Sequence, residues 1–76
     1  MMEKTMILDA KGLACPMPIV RTKKAMDALT TGDILEVHVT DKGALADIPA
    51  WASAGGHEII EQTEQADALI FRIKKA

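Results

Sequence analysis

The sequence has few of the cysteines that form disulfides in small secreted domains, and few of the aromatic residues that build large aromatic binding surfaces. Its 76 residues include one cysteine, one tryptophan, one phenylalanine and no tyrosine. A single cysteine excludes an intramolecular disulfide, so the composition favours a reducing compartment and we expect a cytoplasmic protein. No apolar run approaches the length of about 20 residues that a membrane-spanning helix needs, and the first residues lack a signal-peptide core.

The charge balance also lacks a basic excess. Nine basic against eleven acidic residues leave a formal net charge of −2. Domains that bind nucleic acid directly usually present a basic surface, so no direct nucleic-acid contact is expected. What the chain does contain is a hydrophobic fraction of 49%, which is sufficient for one modest core. We therefore expect a single domain over residues 1–76.

Hydrophobic periodicity predicts six elements in the order βαβαββ. Strands are expected at residues 5–9, 34–39, 57–63 and 68–74, and helices at residues 16–29 and 44–54. Strands separated by helices imply parallel pairing, whereas the final hairpin must be antiparallel. The fold class is therefore an α/β two-layer sandwich, with a four-stranded mixed sheet and two helices on one face. The other face of the sheet is expected to be partly open.

Each predicted helix has an apolar stripe. In the first helix the stripe comprises Ile19, Thr22, Ala25, Met26 and Leu29, and in the second it comprises Leu45, Ile48, Trp51 and Ala52. Proline is tolerated in the first turn of a helix, so Pro49 suggests that the regular part of the second helix begins near Asp47, a good N-cap.

The segment Cys15-Pro16-Met17-Pro18 lies where the first loop becomes the first helix. A residue before proline is pushed toward extended dihedrals, as an N-cap requires, and Pro16 suits the first helical position. The sequence therefore predicts Cys15 at a helix N-terminus, where the helix dipole favours a thiolate and lowers a thiol pKa. Because the two prolines have no N–H, Met17 and Ile19 are the expected nearby donors. Cys15 is the candidate nucleophile, held outward by rigid neighbours.

Residues 8–18, Leu-Asp-Ala-Lys-Gly-Leu-Ala-Cys-Pro-Met-Pro, resemble the signature of the TusA family of sulfur carriers, also called the SirA-like family. Similar features recur along almost the whole chain, at residues 21–24, Gly32-Asp33, Thr40-Asp41, Asp47-Ile48-Pro49 and Gly56-His57. The resemblance implies a sulfurtransferase-type relay and not a self-sufficient enzyme. In it Cys15 accepts sulfane sulfur from a cysteine desulfurase or rhodanese and passes it to an acceptor protein as a persulfide. No cofactor is implied.

The resemblance does not separate the pathways that the family serves. These include tRNA thiolation, sulfur oxidation, handling or detoxification of persulfide and thiosulfate, and selenium metabolism. Met17 stands where some relatives have an acidic residue, which points to partner choice and not to the chemistry.

Two further groups of residues are candidates for the site. The residues expected to shape or orient the motif are Asp9, Gly12, Leu13, Pro16, Pro18 and Asp47, although aspartates at turns and caps are also ordinary structural residues. The residues expected to contact a partner protein lie opposite the core stripe of the first helix, and their alternative reading is a solvated helix face: Met17, Val20, Arg21 and Lys24.

Other readings of the chain remain open at this point. Cys15 could be a small buried hydrophobe, which is a common fate of a free cysteine. Neither His38 nor His57 forms a spaced cluster with Cys15, so no metal site is predicted. The rival function is a non-catalytic regulatory module that binds RNA or protein, because a fold does not by itself determine a function.

Overall fold

The computed structural model describes residues 4–14 and 16–76, so Cys15 lies outside the described residues. Its element order is the predicted βαβαββ. The elements are β1 (Thr5–Ala10), α1 (Met17–Asp27), β2 (Ile34–Val39), α2 (Ala44–Ala54), β3 (Glu58–Glu64) and β4 (Leu69–Lys74). Neither helix of this described part is long and apolar enough to cross a membrane.

The four strands form one mixed sheet in the order β1-β2-β4-β3. β1 pairs parallel with β2, while β4 pairs antiparallel with both β2 and β3. The register places Ala10 beside Val39, Val39 beside Leu69 and Leu69 beside Glu64. These residues lie at one end of the strands, which we call the motif edge, because the loop that follows β1 leads from it into the cysteine motif. The opposite end of the strands is the far edge, where the aligned residues are Thr5, Ile34, Lys74 and Glu58.

One face of the sheet carries the core. Its residues alternate along the strands and are buried, and they comprise Ala10 in β1, Leu35, Val37 and Val39 in β2, and Leu69, Phe71 and Ile73 in β4. Met26 of α1 and Ile48 of α2 belong to the same buried cluster. Both helices therefore cover the same face of the sheet, and the predicted two-layer α/β sandwich is confirmed.

The opposite face of the sheet is partly open, as expected. Its centre holds a small ionic network, in which His38 Nε2 lies 2.7 Å from Glu36 Oε2 and Arg72 lies between two carboxylates. Arg72 Nε is 3.7 Å from Glu36 Oε1, and Arg72 Nη1 is 3.6 Å from Glu61 Oε1. Beside this network, the Ile7 side chain is 65% exposed.

The first helix follows the predicted periodicity. Thr22 and Met26 are buried, whereas Lys23 and Lys24 are exposed. Beyond its last turn, Lys75 Nζ donates to the carbonyl oxygens of Met26 and Leu29, at 2.9 Å and 2.6 Å. The final carbonyls of a helix have no intrahelical partner and carry partial negative charge, so a lysine there satisfies and stabilises the helix end.

The second helix spans the predicted residues 44–54, but Asp47 is not its N-cap. The helix begins at Ala44 with Gly43 as its N-cap, and Asp47 lies within the first turn instead of capping it. The Ala44 and Leu45 N–H groups already bond to Asp41 and Lys42 carbonyls, so a turn leads directly into the helix.

The apolar stripe of α2 also differs from the predicted one. The buried row consists of Ala44, Ile48 and Ala52, while Leu45, which was predicted to face the core, is exposed. Residues four apart share a helix face, and the small side chains at both ends of this row let α2 pack closely on the sheet. Pro49 is accommodated inside the helix.

Asp33, which directly precedes β2, ties together two chain segments at the far edge. Its Oδ2 accepts hydrogen bonds from the N–H and the hydroxyl of Thr30, at 3.1 Å and 2.9 Å, and its Oδ1 accepts the Lys4 N–H at 3.3 Å. The Thr30 amide lowers the pKa of Asp33 most. The Thr30 hydroxyl and Lys4 lower it further, and they prevail over the opposing effect of partial burial. The ionised carboxylate therefore stabilises the folded chain.

We expect Asp33→Asn to lower the melting temperature at neutral pH, because the amide lacks the charge and one of the two acceptor oxygens. The folded pKa of Asp33 lies below its ordinary value of 3.8. The contribution of the carboxylate is therefore complete above that value and is lost as pH falls through the lower, folded pKa. In thermal unfolding followed by circular dichroism, the difference in melting temperature between variant and wild type should stay constant from about pH 7 to about pH 5 and shrink at lower pH. Asp67→Asn, in the exposed β3–β4 turn, is the matched control. Equal melting temperatures for Asp33→Asn and wild type at neutral pH would contradict this role.

Candidate functional site

A tight turn follows β1 and carries the first half of the cysteine motif. The Lys11 N–H donates to Asp9 Oδ1 over 3.0 Å, and the Leu13 N–H donates to the Ala10 oxygen over 3.3 Å. An aspartate that accepts a backbone N–H two residues further on forms an Asx turn, which bends the chain locally. The half-buried Leu13 packs against the core cluster. Asp9 and Leu13 thus hold the two ends of this turn.

Gly12, at the tip of the turn, forms a hydrogen bond with a residue outside the motif. Its N–H donates to Thr40 Oγ1 over 2.9 Å, and its φ of +83° lies in the left-handed region that favours glycine. Thr40 directly follows β2, whose carboxyl end meets that of β1 at the motif edge. In the sequence, Thr40 belongs to the resemblance only through Thr40-Asp41 and has no predicted role. The available signal was the parallel pairing of β1 with β2, which brings the residue after β2 beside the turn after β1.

The first helix starts one residue later than the motif predicted. Pro16, not Cys15, is the N-cap, with φ −95° and ψ 8°. The Val20 N–H donates to the Pro16 oxygen over 3.1 Å, which makes Pro16 the first acceptor of the helix. The prediction of Cys15 as N-cap and Pro16 as first helical residue is therefore wrong by one position.

The cause is a turn that leads into the helix. The Met17 N–H donates to the Ala14 oxygen over 2.9 Å, so Met17 does not offer this group to a sulfur as the sequence analysis expected. Pro18 then occupies the second helical position, where its missing N–H costs no intrahelical bond. Pro18 is buried, and its carbonyl accepts the Thr22 hydroxyl at 2.7 Å.

One side of α1 presents an exposed surface that combines apolar and basic side chains. Met17 is 39% exposed and Val20 is 48% exposed, and Arg21 and Lys24 beside them are also exposed. We call these four residues the α1 patch. The structure thus exposes all four residues predicted to contact a partner, and their role in docking stays a prediction.

The loop between β2 and α2 also lies at the motif edge. Asp41 Oδ1 accepts the Gly43 N–H at 3.1 Å, which shapes the approach to α2, and the half-buried Asp47 follows in the first helical turn. Between this loop and the β3–β4 turn is a shallow depression, lined by Thr40, Lys42 and residues 64–69.

Neither histidine serves the motif as a base within this arrangement. His57 precedes β3 and so lies at the far edge, one strand length of about 20 Å from the motif edge. Its ring stacks on Trp51 with centroids 5.1 Å apart, and its Nδ1 accepts the Ala76 N–H at 3.0 Å. His38 faces the open side of the sheet and contacts Glu36. Over residues 4–14 and 16–76, no three His, Cys, Asp or Glu side chains form a group that could hold a metal ion.

A comparison of this chain with known protein families agrees with the geometry of the motif. The family described as Sulfurtransferase TusA matches residues 6–75, from β1 to the end of the sheet. This chain belongs to the TusA family. The resemblance based on the cysteine motif is therefore confirmed.

Individual relatives and a solved structure support the same assignment. This TusA-family chain is 62% identical over 74 residues to YrkI of Bacillus subtilis (strain 168), covering 97% of this chain and 99% of YrkI. It is 44% identical to the sulfur carrier protein TusA of Allochromatium vinosum, covering 91% of each chain. The crystal structure of a SirA-like protein from Desulfitobacterium hafniense superposes with a TM-score of 0.76 at 29% identity, covering 93% of this chain and 97% of that one.

We expect Thr40→Val to loosen the motif turn, because valine matches threonine in shape but cannot accept the Gly12 N–H. A hydrogen bond contributes about 0.5–1.5 kcal/mol net, so the Gly12 amide should exchange its hydrogen roughly threefold to tenfold faster. Hydrogen exchange followed by NMR measures this directly. Thr40→Ser, which keeps the hydroxyl, should restore most of the protection. Equal exchange rates in wild type and Thr40→Val would show that this contact does not hold the turn.

Proposed function

We propose that this chain is a sulfur carrier that holds sulfane sulfur as a persulfide on Cys15 and relays it from a donor protein to an acceptor protein. The observation that carries the proposal is the place of the thiol. Cys15 is the only cysteine of the chain, and it lies inside the motif that links this chain to the TusA family. A carrier that works by persulfide chemistry needs one thiol, and the chain offers no other.

The proposed transfer consists of two thiol exchange steps. The Cys15 thiolate attacks the terminal sulfur of the donor persulfide, a new S–S bond forms, and the donor leaves as a thiolate. The acceptor thiolate then attacks the terminal sulfur of the Cys15 persulfide, and the Cys15 thiolate is released. One sulfane sulfur moves in each step and no external oxidant or reductant is consumed.

The surroundings of Cys15 support an accessible thiol. Its neighbours in the sequence, Ala14 and Pro16, are both exposed. Cys15 precedes the N-cap of α1, and the positive end of a helix favours the thiolate that both exchange steps require. The hydrogen bond from Gly12 to Thr40 and the buried Pro18 fix the backbone before the motif and at its end. Exposed neighbours and a fixed backbone around the motif are suited to transfer between two proteins.

The α1 patch is the proposed contact surface for donor and acceptor. Protein interfaces combine apolar contacts with charged groups at their rim, and the patch offers both directly after the motif. A cysteine desulfurase or rhodanese is the proposed donor, in the cytoplasm. A relative from Allochromatium vinosum is named a sulfur carrier protein. Thiolation of tRNA, oxidation of sulfur and handling of persulfide or thiosulfate all use this same transfer step.

The rival function, a regulatory module that binds RNA or protein, has less support. The open face of the sheet, where an RNA-binding module would present basic and aromatic side chains, carries Glu36 and Glu61 around Arg72. Carboxylates repel phosphates, and the chain as a whole is acidic.

Sulfur loading distinguishes the two functions. Wild-type protein incubated with glutathione persulfide, or with a cysteine desulfurase and cysteine, should gain the mass of one sulfur atom in intact mass spectrometry. Treatment with a reducing agent should remove that mass. Cys15→Ala should gain nothing, and Cys15→Ser controls for the size of the side chain. Sulfur that adds equally to Cys15→Ala, or never adds to wild type, would favour the rival function.

The docking role of the α1 patch is tested by reversing one charge. We expect Arg21→Glu to slow loading from a protein donor roughly tenfold at low salt, because charge complementarity accelerates the encounter of two proteins. Loading from glutathione persulfide, which needs no docking surface, should stay unchanged. Lys23→Glu makes a similar change on the same helix but outside the patch, so it is the matched control. Similar rates for the two variants with both a desulfurase and a rhodanese would argue against docking at the patch.

A further inference from the structure

The two outermost strands of the sheet, β1 and β3, differ in how well they resist pairing with a strand of another molecule. β3 has an irregular register between Ile59 and Glu61, which leaves Ile60 unpaired, and it carries three glutamates in seven residues. Bulges and charges are common devices that prevent edge-to-edge association. β1 has no bulge, since its pairing with β2 is regular from Thr5 to Ala10. Its one charged residue, Asp9, lies near its end, and its central residue, Ile7, is apolar and 65% exposed.

The hydrogen bonds reveal which backbone groups of β1 are free to pair. The Ile34 N–H donates to the Lys4 oxygen over 2.8 Å, so the Lys4 backbone faces β2. Backbone groups alternate in direction along a strand, and in a parallel pair every second residue bonds to the neighbour. Met6 and Leu8 therefore also face β2. Thr5, Ile7 and Asp9 direct their N–H and C=O groups to the outer edge, and all three residues are exposed.

We propose that β1 pairs with β1 of a second copy of this chain, antiparallel, with Ile7 opposite Ile7. In this register Thr5 lies opposite Asp9, and Met6 lies opposite Leu8. The outward-facing residues then form hydrogen-bonded pairs across the twofold axis, which gives about six new backbone hydrogen bonds. The two Ile7 side chains meet on the open face of the sheet, and the half-buried Met6 and Leu8 meet on the core face. The strand is thus complementary to itself.

The charges of the strand favour the antiparallel arrangement. Lys4 stands at one end of β1 and Asp9 near the other. Antiparallel pairing places Asp9 opposite the uncharged Thr5 of the second copy, whereas parallel pairing in register would place Asp9 opposite Asp9. Pairing of β1 with β3 would be heterologous and would continue into a filament, and it would meet the bulged, acidic edge. Twofold pairing of β1 with β1 closes after two copies.

This pairing is compatible with sulfur transfer. The two motif turns leave the paired strands at opposite ends, about six residues or roughly 20 Å apart, so the two turns do not meet. A pair of six-residue strands buries less area than the roughly 1,200 Å² of a stable interface, so the dimer should be transient. The proposal uses no property of Cys15 and does not rest on the proposed function.

Disulfide trapping tests the register. In a Cys15→Ala background, Ile7→Cys places two thiols opposite each other in a hydrogen-bonded pair, whose Cα atoms lie about 5.5 Å apart and can be bridged. Mild oxidation should yield a covalent dimer roughly tenfold faster than for Ile60→Cys on the other edge, because pairing raises the effective concentration of the facing thiols. Thr5→Cys alone should not dimerise faster than Ile60→Cys, but mixed with Asp9→Cys it should form a crosslinked heterodimer.

Sedimentation velocity tests the association without any cysteine. In the Cys15→Ala background, the mean sedimentation coefficient should rise as the concentration approaches about 1 mM. Ile7→Lys should abolish the rise, because it puts two lysines opposite each other, and Ile60→Lys should leave it unchanged. The proposal is overturned if the protein stays monomeric, which would leave the edge for an extended strand of another protein. It is also overturned if Ile7→Lys associates like Ile60→Lys, or if Ile7→Cys and Ile60→Cys crosslink at the same rate.

Discussion

The parallel pairing of β1 with β2 is the constraint on which the rest of this structure depends. It aligns Ala10 with Val39, so the two loops that follow these strands emerge side by side. Only in that arrangement does Thr40 reach the Gly12 N–H, and only then can α1 cross back over the sheet to bury Met26. The cysteine motif occupies the junction between the turn and the helix, and it inherits its position from this pairing.

The far edge of the sheet contains the contacts that close the fold. Asp33 connects the chain before β2 to Lys4, and Lys75 satisfies the carbonyls at the end of α1. His57 packs on Trp51 and binds the backbone of Ala76. Because these contacts lie about one strand length from the motif, a partner can engage the motif edge without disturbing them. The contacts that stabilise the fold and the proposed transfer site therefore lie at opposite ends of the strands.

The predictions that the structure corrects concern mainly the N-caps of the helices. Both caps were inferred from proline, which was expected at the first helical position for Pro16 and within the first turn for Pro49. The structure instead begins each helix through a turn closed by backbone hydrogen bonds, from Met17 to Ala14 and from Ala44 to Asp41. Proline restricts its own φ and the residue before it, but several helix starts satisfy those restrictions. In α2 the buried row begins at Ala44, whereas Leu45 was expected to belong to it.

The sequence by itself determined the element order, the two-layer fold class and the family, because strand and helix periodicities and the motif around Cys15 are written in neighbouring residues. Only the tertiary structure decided the strand order β1-β2-β4-β3, the contact of Thr40 with Gly12 and the exposure of Ile7 on an unprotected edge. These features depend on which strands lie side by side. The strand order is set by packing between residues far apart in the chain, so a local sequence pattern cannot predict it.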